Sequence, residues 1–269
     1  MKVLLVGRHG QVGSELERRL PEAVATDRAT LDLTDADAIR HRVREVKPDV
    51  IINAAAYNAV DKAETERELA MAVNATAPGV LCEEAKRLGA RMVHYSTDYV
   101  FDGEKTTPYV EGDAPRPLSH YARSKLEGER AVIGSGCRHL VLRVSWVYGP
   151  RATNFYQVIR RKALAGEPLR MVDDQCSIPT PATFIAEHTI ALLATDASGL
   201  MHLVPSGEAS RYDFACEVVR KLGSKSKVDR AKTAEFPSPA QRPGYSVMCN
   251  GLAAGVLDRR LPRWQDVMP

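Results

Sequence analysis

Tyr121 and Lys125, in the run Tyr-Ala-Arg-Ser-Lys, are the residues of this chain best spaced for proton transfer. Four positions apart on a helix, a phenol and an ammonium share one face. Free tyrosine has a pKa of about 10, so it serves acid–base chemistry at neutral pH only where a nearby positive charge stabilises its phenolate. Lys125 is placed to supply that charge. Thr97 lies 24 residues before Tyr121, directly after Arg91 to Ser96, which reads as the chain's fourth strand. A carbonyl held by Thr97 and protonated by Tyr121 is the chemistry these three residues allow. A Tyr-x-x-x-Lys pair also occurs on ordinary solvated helix faces, and a hydroxyl at a strand end also serves as a turn cap. The surrounding elements therefore carry the decision.

The first thirty residues supply a site for the other half of a redox reaction. Val3 to Val6 is wholly apolar, as a strand buried on both sheet faces requires. It runs into Gly7-Arg8-His9-Gly10-Gln11-Val12-Gly13, and Ser14 to Leu20 then reads as an amphipathic helix. Glycines in a strand–turn–helix junction let the backbone approach a pyrophosphate, with the positive helix end aimed at it. The spacing here is Gly-x-x-Gly-x-x-Gly, which differs from the dehydrogenase Gly-x-Gly-x-x-Gly pattern. Ala23 to Thr26 reads as a second strand ending at Asp27-Arg28, an acid suited to a ribose hydroxyl beside a base suited to a 2′-phosphate. Arg8 is a second base for such a phosphate, and the choice between NADH and NADPH stays open. A helix is expected to begin within Thr30 to Asp35 and to reach about Val46. Asp49 to Asn53 is the third strand, and Ala54-Ala55-Ala56 after it are small enough for a cofactor to lie close. The order predicts an α/β fold, a Rossmann-type doubly wound parallel sheet.

Composition narrows the class. The 269 residues carry 37 basic and 34 acidic side chains, a net charge of +3, too balanced to point to nucleic acid or a membrane surface. The five cysteines are scattered without a Cys-x-x-Cys pair or a histidine at ligand spacing, which argues against disulfides and structural zinc. The N-terminal apolar run is shorter than a signal peptide or a membrane span needs, so a reducing cytoplasm is the expectation.

Seven segments in order resemble the extended, nucleotide-sugar branch of the short-chain dehydrogenase/reductase superfamily, and within it the dTDP-4-dehydrorhamnose reductase group. They are Gly7 to Gly13, Asn53 to Ala56, Val60-Asp61-Lys62-Ala63-Glu64, His94 to Phe101, Tyr121 to Lys125, Arg143-Val144-Ser145-Trp146-Val147-Tyr148, and Arg242-Pro243-Gly244. The resemblance implies reduction of the C4 ketone of a dTDP-6-deoxy-4-keto sugar by NADPH or NADH, with Thr97, Tyr121 and Lys125 catalytic. It implies cofactor contacts at Gly10, Gln11 and Val12, at Asp27, at Asp32 and Leu33 near the adenine, and at Ala54, Ala55, Ala56 and Tyr57. It places Asp98, Val100, Phe101, Trp146, Asn154, Gln175 and Arg242 on the substrate side, Arg242 at the diphosphate. Some relatives hold magnesium through acidic residues at a dimer interface, and Glu15 matches one such position. A homodimer stays open on the same ground.

Residues 1–150 are expected to form the cofactor domain and 151–269 mainly a smaller, interleaved α/β substrate lobe, with about 181–205 returning to the first. Helices are expected from Asn154-Phe155 to about Leu164, from Pro181 to Leu193 and from Arg211 to Leu222, with Leu169 to Val172 a strand. Three departures from the family pattern fall in this half. Asp174-Gln175-Cys176-Ser177-Ile178-Pro179-Thr180 lacks the usual glycine, Tyr245 to Asn250 lacks the usual leucine–aspartate or leucine–asparagine pair, and the tail after Trp264 is short. Two rival readings remain, another nucleotide-sugar ketoreductase or epimerase and a non-catalytic regulatory subunit on the same scaffold.

Overall fold

The computed structural model describes residues 1–151 and 154–269. Its strands are β1 (Val3–Val6), β2 (Val24–Thr26), β3 (Val50–Asn53), β4 (Arg91–Thr97), β5 (Arg138–Val144), β6 (Val147–Tyr148), β7 (Leu169–Val172), β8 (Cys176–Ser177), β9 (Thr180–Pro181), β10 (Gly199–His202), β11 (Ala209–Ser210) and β12 (Val228–Ala231). Its helices are α1 (Gln11–Arg19), α2 (Ala36–Val46), α3 (Arg67–Met71), α4 (Ala77–Leu88), α5 (His120–Gly134), α6 (Phe155–Leu164), α7 (Ala182–Leu193), α8 (Arg211–Lys221) and α9 (Gly251–Val256).

Six strands form one sheet in the order β10-β5-β4-β3-β1-β2, every neighbouring pair parallel. Alternation along the strands sorts their side chains into two cores. Val3, Leu5, Val50, Ile52, Val93 and Leu142 face α1 and α7, where Leu16, Phe184 and Ile185 meet them. Leu4, Val6, Ile51, Met92 and Val141 face the other way, onto Ile39 and Val43 of α2 and Leu81 of α4. The order reverses between β1 and β3, and ligands of open α/β sheets bind outside the strand carboxyl ends at such a switch point. Gly7 ends β1 there, and Ala54 follows β3.

A third core lies beyond this sheet. Tyr156 and Ile159 of α6, Leu169 of β7, Phe214 and Val218 of α8, Phe101, Tyr109 and Trp264 build it. The short pairs β7–β12, β8–β11 and β6–β9 frame it. The chain returns to the main sheet twice within this half: α7 packs beside α1 and β10 extends the sheet from β5, and later α9 packs on β10 with Ala253 in the first core.

Two local departures have physical causes. The segment Thr30 to Asp35 is not helical: Asp27 accepts from the Ala29 and Thr30 N–H groups and Asp32 from that of Thr34, closing turns that compete with a helix. Asp35 then caps α2, accepting from Asp37 and Ala38. Between α3 and α4 the helix widens to a π turn over Ala72–Thr76. Pro78, which has no N–H to give the Asn74 carbonyl four residues back, accounts for the break in the α pattern.

Candidate active site

Two glycines bring the turn after β1 against its neighbours. Gly7 has φ +91°, and a Cβ there would lie 2.6 Å from the Ala55 nitrogen, while one on Gly13 would lie 2.1 Å from the Gly7 carbonyl oxygen. A side chain at either position would fill the space that lets α1 sit directly on the turn. Gly10 caps α1 without a side-chain hydrogen bond, so the first helical N–H groups stay available to an anion. A cradle of backbone donors closed to side chains fits a dinucleotide pyrophosphate. Gln11, Val12 and Ala54 to Ala56 line the same wall, and Gln11 reaches across to donate to the Arg151 carbonyl.

This wall is one side of a cleft of about 560 Å³. Its floor is Tyr95 to Tyr99 with Tyr121 and Lys125, and its far wall is Trp146, Asn154, Phe155, Arg211 and Phe214. The helix that carries the pair starts where Ser119 accepts from the Ala122 N–H at 3.3 Å. Tyr121 therefore sits in the first turn of α5 and Lys125 one turn on, both buried. Gly128 on α5 lets this helix meet the widened turn, since a Cβ there would lie 2.1 Å from the Asn74 carbonyl oxygen. The Asn74 side chain locks the contact. It donates to the Tyr57 carbonyl (3.0 Å) and the Ser124 hydroxyl (2.9 Å) and accepts from the Tyr57 N–H (2.8 Å). Ser124 in turn donates to the Tyr121 carbonyl at 2.7 Å. Asn74 thus ties the cofactor-side loop to the helix that bears Tyr121, a part the sequence reading missed.

Electrostatics on the floor follow burial. Tyr121 is held above the ordinary phenol range by burial, with a Thr97 hydrogen bond opposing and the charge of Asp98 adding a smaller rise. The expected lowering by Lys125 is not found. Lys125 Nζ is spent on the Tyr95 carbonyl at 2.6 Å, and burial brings its own pKa down to about 8. Burial and the Lys125 charge keep His94 neutral behind it. Asp98 is pushed up to about 6 by burial, against hydrogen bonds from Ser246, Ser177 and Thr97. Ser246 donates at 2.5 Å, Ser177 at 2.9 Å and Thr97 at 3.2 Å.

The remaining expected residues divide. Trp146 and Asn154 line the far wall. Trp146 has φ +38°, a strained value for a side chain of its size. Asn154 caps α6 by accepting from the Gln157 N–H at 3.1 Å. Asp98 faces the cleft, but its carboxylate is committed to three hydroxyls, so it supports Thr97 rather than reaching outward. Val100 and Phe101 are corrections: both are fully buried in the third core, where Phe101 stacks on Tyr109. Gln175 does not line the cleft and accepts from Arg211 Nε at 2.9 Å. Arg242 also stands outside it, ion-paired to Asp61 at 2.9 Å. Asp27 lies at the carboxyl end of β2, bound by the Ala29 and Thr30 N–H groups and by His9. Arg28 beside it is exposed, whereas Arg8 is paired to Glu17. Asp32 and Leu33 lie beyond the cleft lining, and Tyr57 flanks Tyr121 in a small apolar cluster. Glu15 is committed to Arg18 and Arg19 of its own helix. Among the described residues, no three His, Cys, Asp or Glu side chains gather as a metal site.

Tyr99, Phe155, Arg211 and Phe214 also line the cleft without having been read from the sequence. Arg211 did leave a signal. It occupies the first position of a helix capped by Ser210, where the helix dipole favours an acid over a base.

A parallel sheet with a glycine cradle at its switch point, facing Thr97, Tyr121 and Lys125, defines an NAD(P)-dependent oxidoreductase of the extended short-chain dehydrogenase/reductase class. Comparison with known proteins narrows the class. The family described as RmlD substrate binding domain matches residues 1–269. A dTDP-4-dehydrorhamnose reductase of Escherichia coli (strain K12) is 38% identical over 283 residues, covering 98% of this chain and 95% of that protein. The crystal structure of a dTDP-4-dehydrorhamnose reductase from Clostridium acetobutylicum superposes with a TM-score of 0.94 at 37% identity, over 99% of this chain and 96% of the other. One from Bacillus anthracis, in complex with NADP, gives a TM-score of 0.94 at 31% identity, over 98% and 96%. The chain belongs to the dTDP-4-dehydrorhamnose reductase family.

Proposed function

We propose that this chain catalyses the NADPH-dependent reduction of the C4 ketone of dTDP-4-dehydro-L-rhamnose to give dTDP-L-rhamnose. The observation that carries the reading is the convergence of Thr97, Tyr121 and Lys125 on the floor of a cleft whose other wall is the glycine cradle. Family membership supplies the sugar and the nucleotide, and the relative complexed with NADP supports the cofactor.

Gly10, Gln11 and Val12 would hold the pyrophosphate, and Ala54 to Ala56 would flank the nicotinamide half. NADPH when bound supplies a hydride to the carbonyl carbon. Negative charge then develops on the carbonyl oxygen, and Tyr121 gives its phenolic proton to that oxygen. Thr97 would position the same oxygen by turning to it the single hydroxyl proton that it otherwise gives Asp98. Its hydroxyl is shared with Asp98, and Asp98 is fixed by Ser177 and Ser246, so the threonine rotamer is set by a buried network. Lys125, one turn behind Tyr121 with its Nζ on the Tyr95 carbonyl, would serve the nicotinamide ribose rather than lower the Tyr121 pKa. Trp146 and Phe155 would shield the sugar from water on the far wall. Residues 151–269, apart from the stretch that rejoins the sheet, serve as the substrate lobe in this reading.

The test supplies dTDP-4-dehydro-L-rhamnose with NADPH, and separately with NADH, follows cofactor oxidation, and identifies the sugar by NMR. Stoichiometric formation of dTDP-L-rhamnose is expected. Cofactor oxidation that yields a different 6-deoxyhexose would keep the chemistry and change the product, and no oxidation with either cofactor would sink the reading.

A further inference from the structure

Arg211 is a cation on the substrate side of the cleft with nothing negative to hold. Its guanidinium lies 4.4 Å from the Trp146 ring centroid and 4.9 Å from that of Phe155. Its Nε donates to Gln175 Oε1 at 2.9 Å and one Nη to the Tyr99 hydroxyl at 3.3 Å. Both acceptors are neutral. Among the described residues the other Nη has no protein acceptor and no carboxylate lies within ion-pair distance of the guanidinium. Other arginines near this half are paired to carboxylates, Arg143 to Glu129, Arg230 to Asp173 and Arg242 to Asp61. The other two bases of the cleft are also engaged, Lys125 with the Tyr95 carbonyl and His9 with Asp27.

A guanidinium held flat by aromatic rings and steered at one edge by Gln175 and Tyr99 has lost most of its rotational freedom before any ligand arrives. Its open edge presents N–H donors in the fork that suits phosphate oxygens. Tyr99, which accepts from Arg211, packs edge-on against Tyr121 at 6.2 Å between centroids, so the cation sits one side chain away from the reacting centre. We infer that Arg211 is the anion clamp of the substrate lobe and binds the diphosphate of the nucleotide-sugar substrate, a role that rests on the nucleotide-sugar reading above. It replaces Arg242, whose charge is already neutralised by Asp61.

The test uses calorimetric titration of the full-length protein with dTDP and with thymidine, for the parent, Arg211→Met and Arg211→Lys, together with steady-state kinetics. A charge-assisted contact of this kind corresponds to about 10- to 100-fold in affinity. Arg211→Met is expected to lose that much for dTDP while its thymidine affinity stays the same. KM for the sugar should rise by a similar factor, with kcat and KM for NADPH within about threefold, and Arg211→Lys should recover part of the loss. Unchanged dTDP affinity in Arg211→Met overturns the clamp. So does a parallel loss for dTDP, thymidine and NADPH, which would mean that Arg211 merely packs Trp146 against Phe155. A parent that prefers UDP to dTDP would sink the thymidine-nucleotide reading alone, and the clamp is then judged in the same way on the UDP and uridine pair.

Discussion

Burial holds the Tyr121 phenol in its protonated form, which suits a group that must give a proton to a developing alkoxide. Tyr121→Phe removes that proton and leaves the ring packing intact. It is expected to lower kcat for ketone reduction by about 10²- to 10⁴-fold, while NADPH binding, followed by fluorescence titration, stays within about twofold. Activity within tenfold of the parent would assign the donor elsewhere. Lys125 carries a cost of the opposite kind. Its folded pKa of about 8 lies below an unfolded value of about 10.4, so the unfolded chain binds more protons between those values and stability rises with pH across them. Below about 8 the fold has to keep a buried ammonium, at about 3 kcal/mol. The bond to the Tyr95 carbonyl returns about 1 kcal/mol of that. Lys125→Met should therefore be inactive yet more stable than the parent at pH 7, by about 1–2 kcal/mol. The advantage should shrink towards pH 10 in thermal melts of the cofactor-free proteins. A less stable Lys125→Met at pH 7 would show that the ammonium supports the fold.

At the scale of elements, close approach of backbone decides what can change. Gly13 and Gly10 belong to the same turn and motif but differ in what surrounds them. A Cβ on Gly13 would sit 2.1 Å from a backbone oxygen, whereas one on Gly10 meets nothing nearer than 3.4 Å. Gly13→Ala must push α1 off β1, at about 1–3 kcal/mol or more, and should abolish measurable NADPH binding. Gly10→Ala should fold with parental stability and bind the cofactor no more than about tenfold more weakly, as a methyl added at an open turn allows. Equal behaviour of the two in urea melts and cofactor titrations would remove the close-packing argument. The strands were legible because apolar runs such as Val3 to Val6 must be buried on both faces, and the glycine turn because a strand precedes it, a helix follows it and further strands come after. Helix starts were legible where a side chain caps them, as Asn154 does for α6. The Thr30 to Asp35 turns were not, since their aspartates look like the opening of the helix that Asp35 alone begins. Asn74, Arg211 and Ser177 were hidden for a different reason. Their partners lie 50, 112 and 79 residues away, and no local period or spacing encodes such a meeting.

The cleft exists only because the sheet and the third core hold a fixed relation, and one buried ion pair lies at their junction. Arg143, on β5 of the sheet, donates to Glu129 of α5 at 2.8 and 2.7 Å, both side chains being almost wholly inaccessible. The face of the same guanidinium lies 5.0 Å from the Phe101 ring centroid, and Phe101 is stacked on Tyr109 within the third core at 4.0 Å. A single planar cation thus touches α5 at its edge and the third core at its face. Two desolvated charges recover little net energy from each other, because each has left water at a cost of several kcal/mol. Removing one of them is another matter, since the survivor is left buried and unpaired. Arg143→Met is expected to lose about 3–5 kcal/mol in urea denaturation, whereas Glu129→Leu combined with Arg143→Met should recover most of that loss. The double variant separates stability from geometry. If the ion pair also fixes the angle between sheet and third core, the recovered stability should come with a raised KM for the sugar and an unchanged affinity for NADPH, whose proposed glycine cradle is built on the sheet side. A double variant as unstable as Arg143→Met would instead show that the pair is a net source of stability, and parental KM in a stable double variant would show that the packing of Phe101 is enough to hold the cleft.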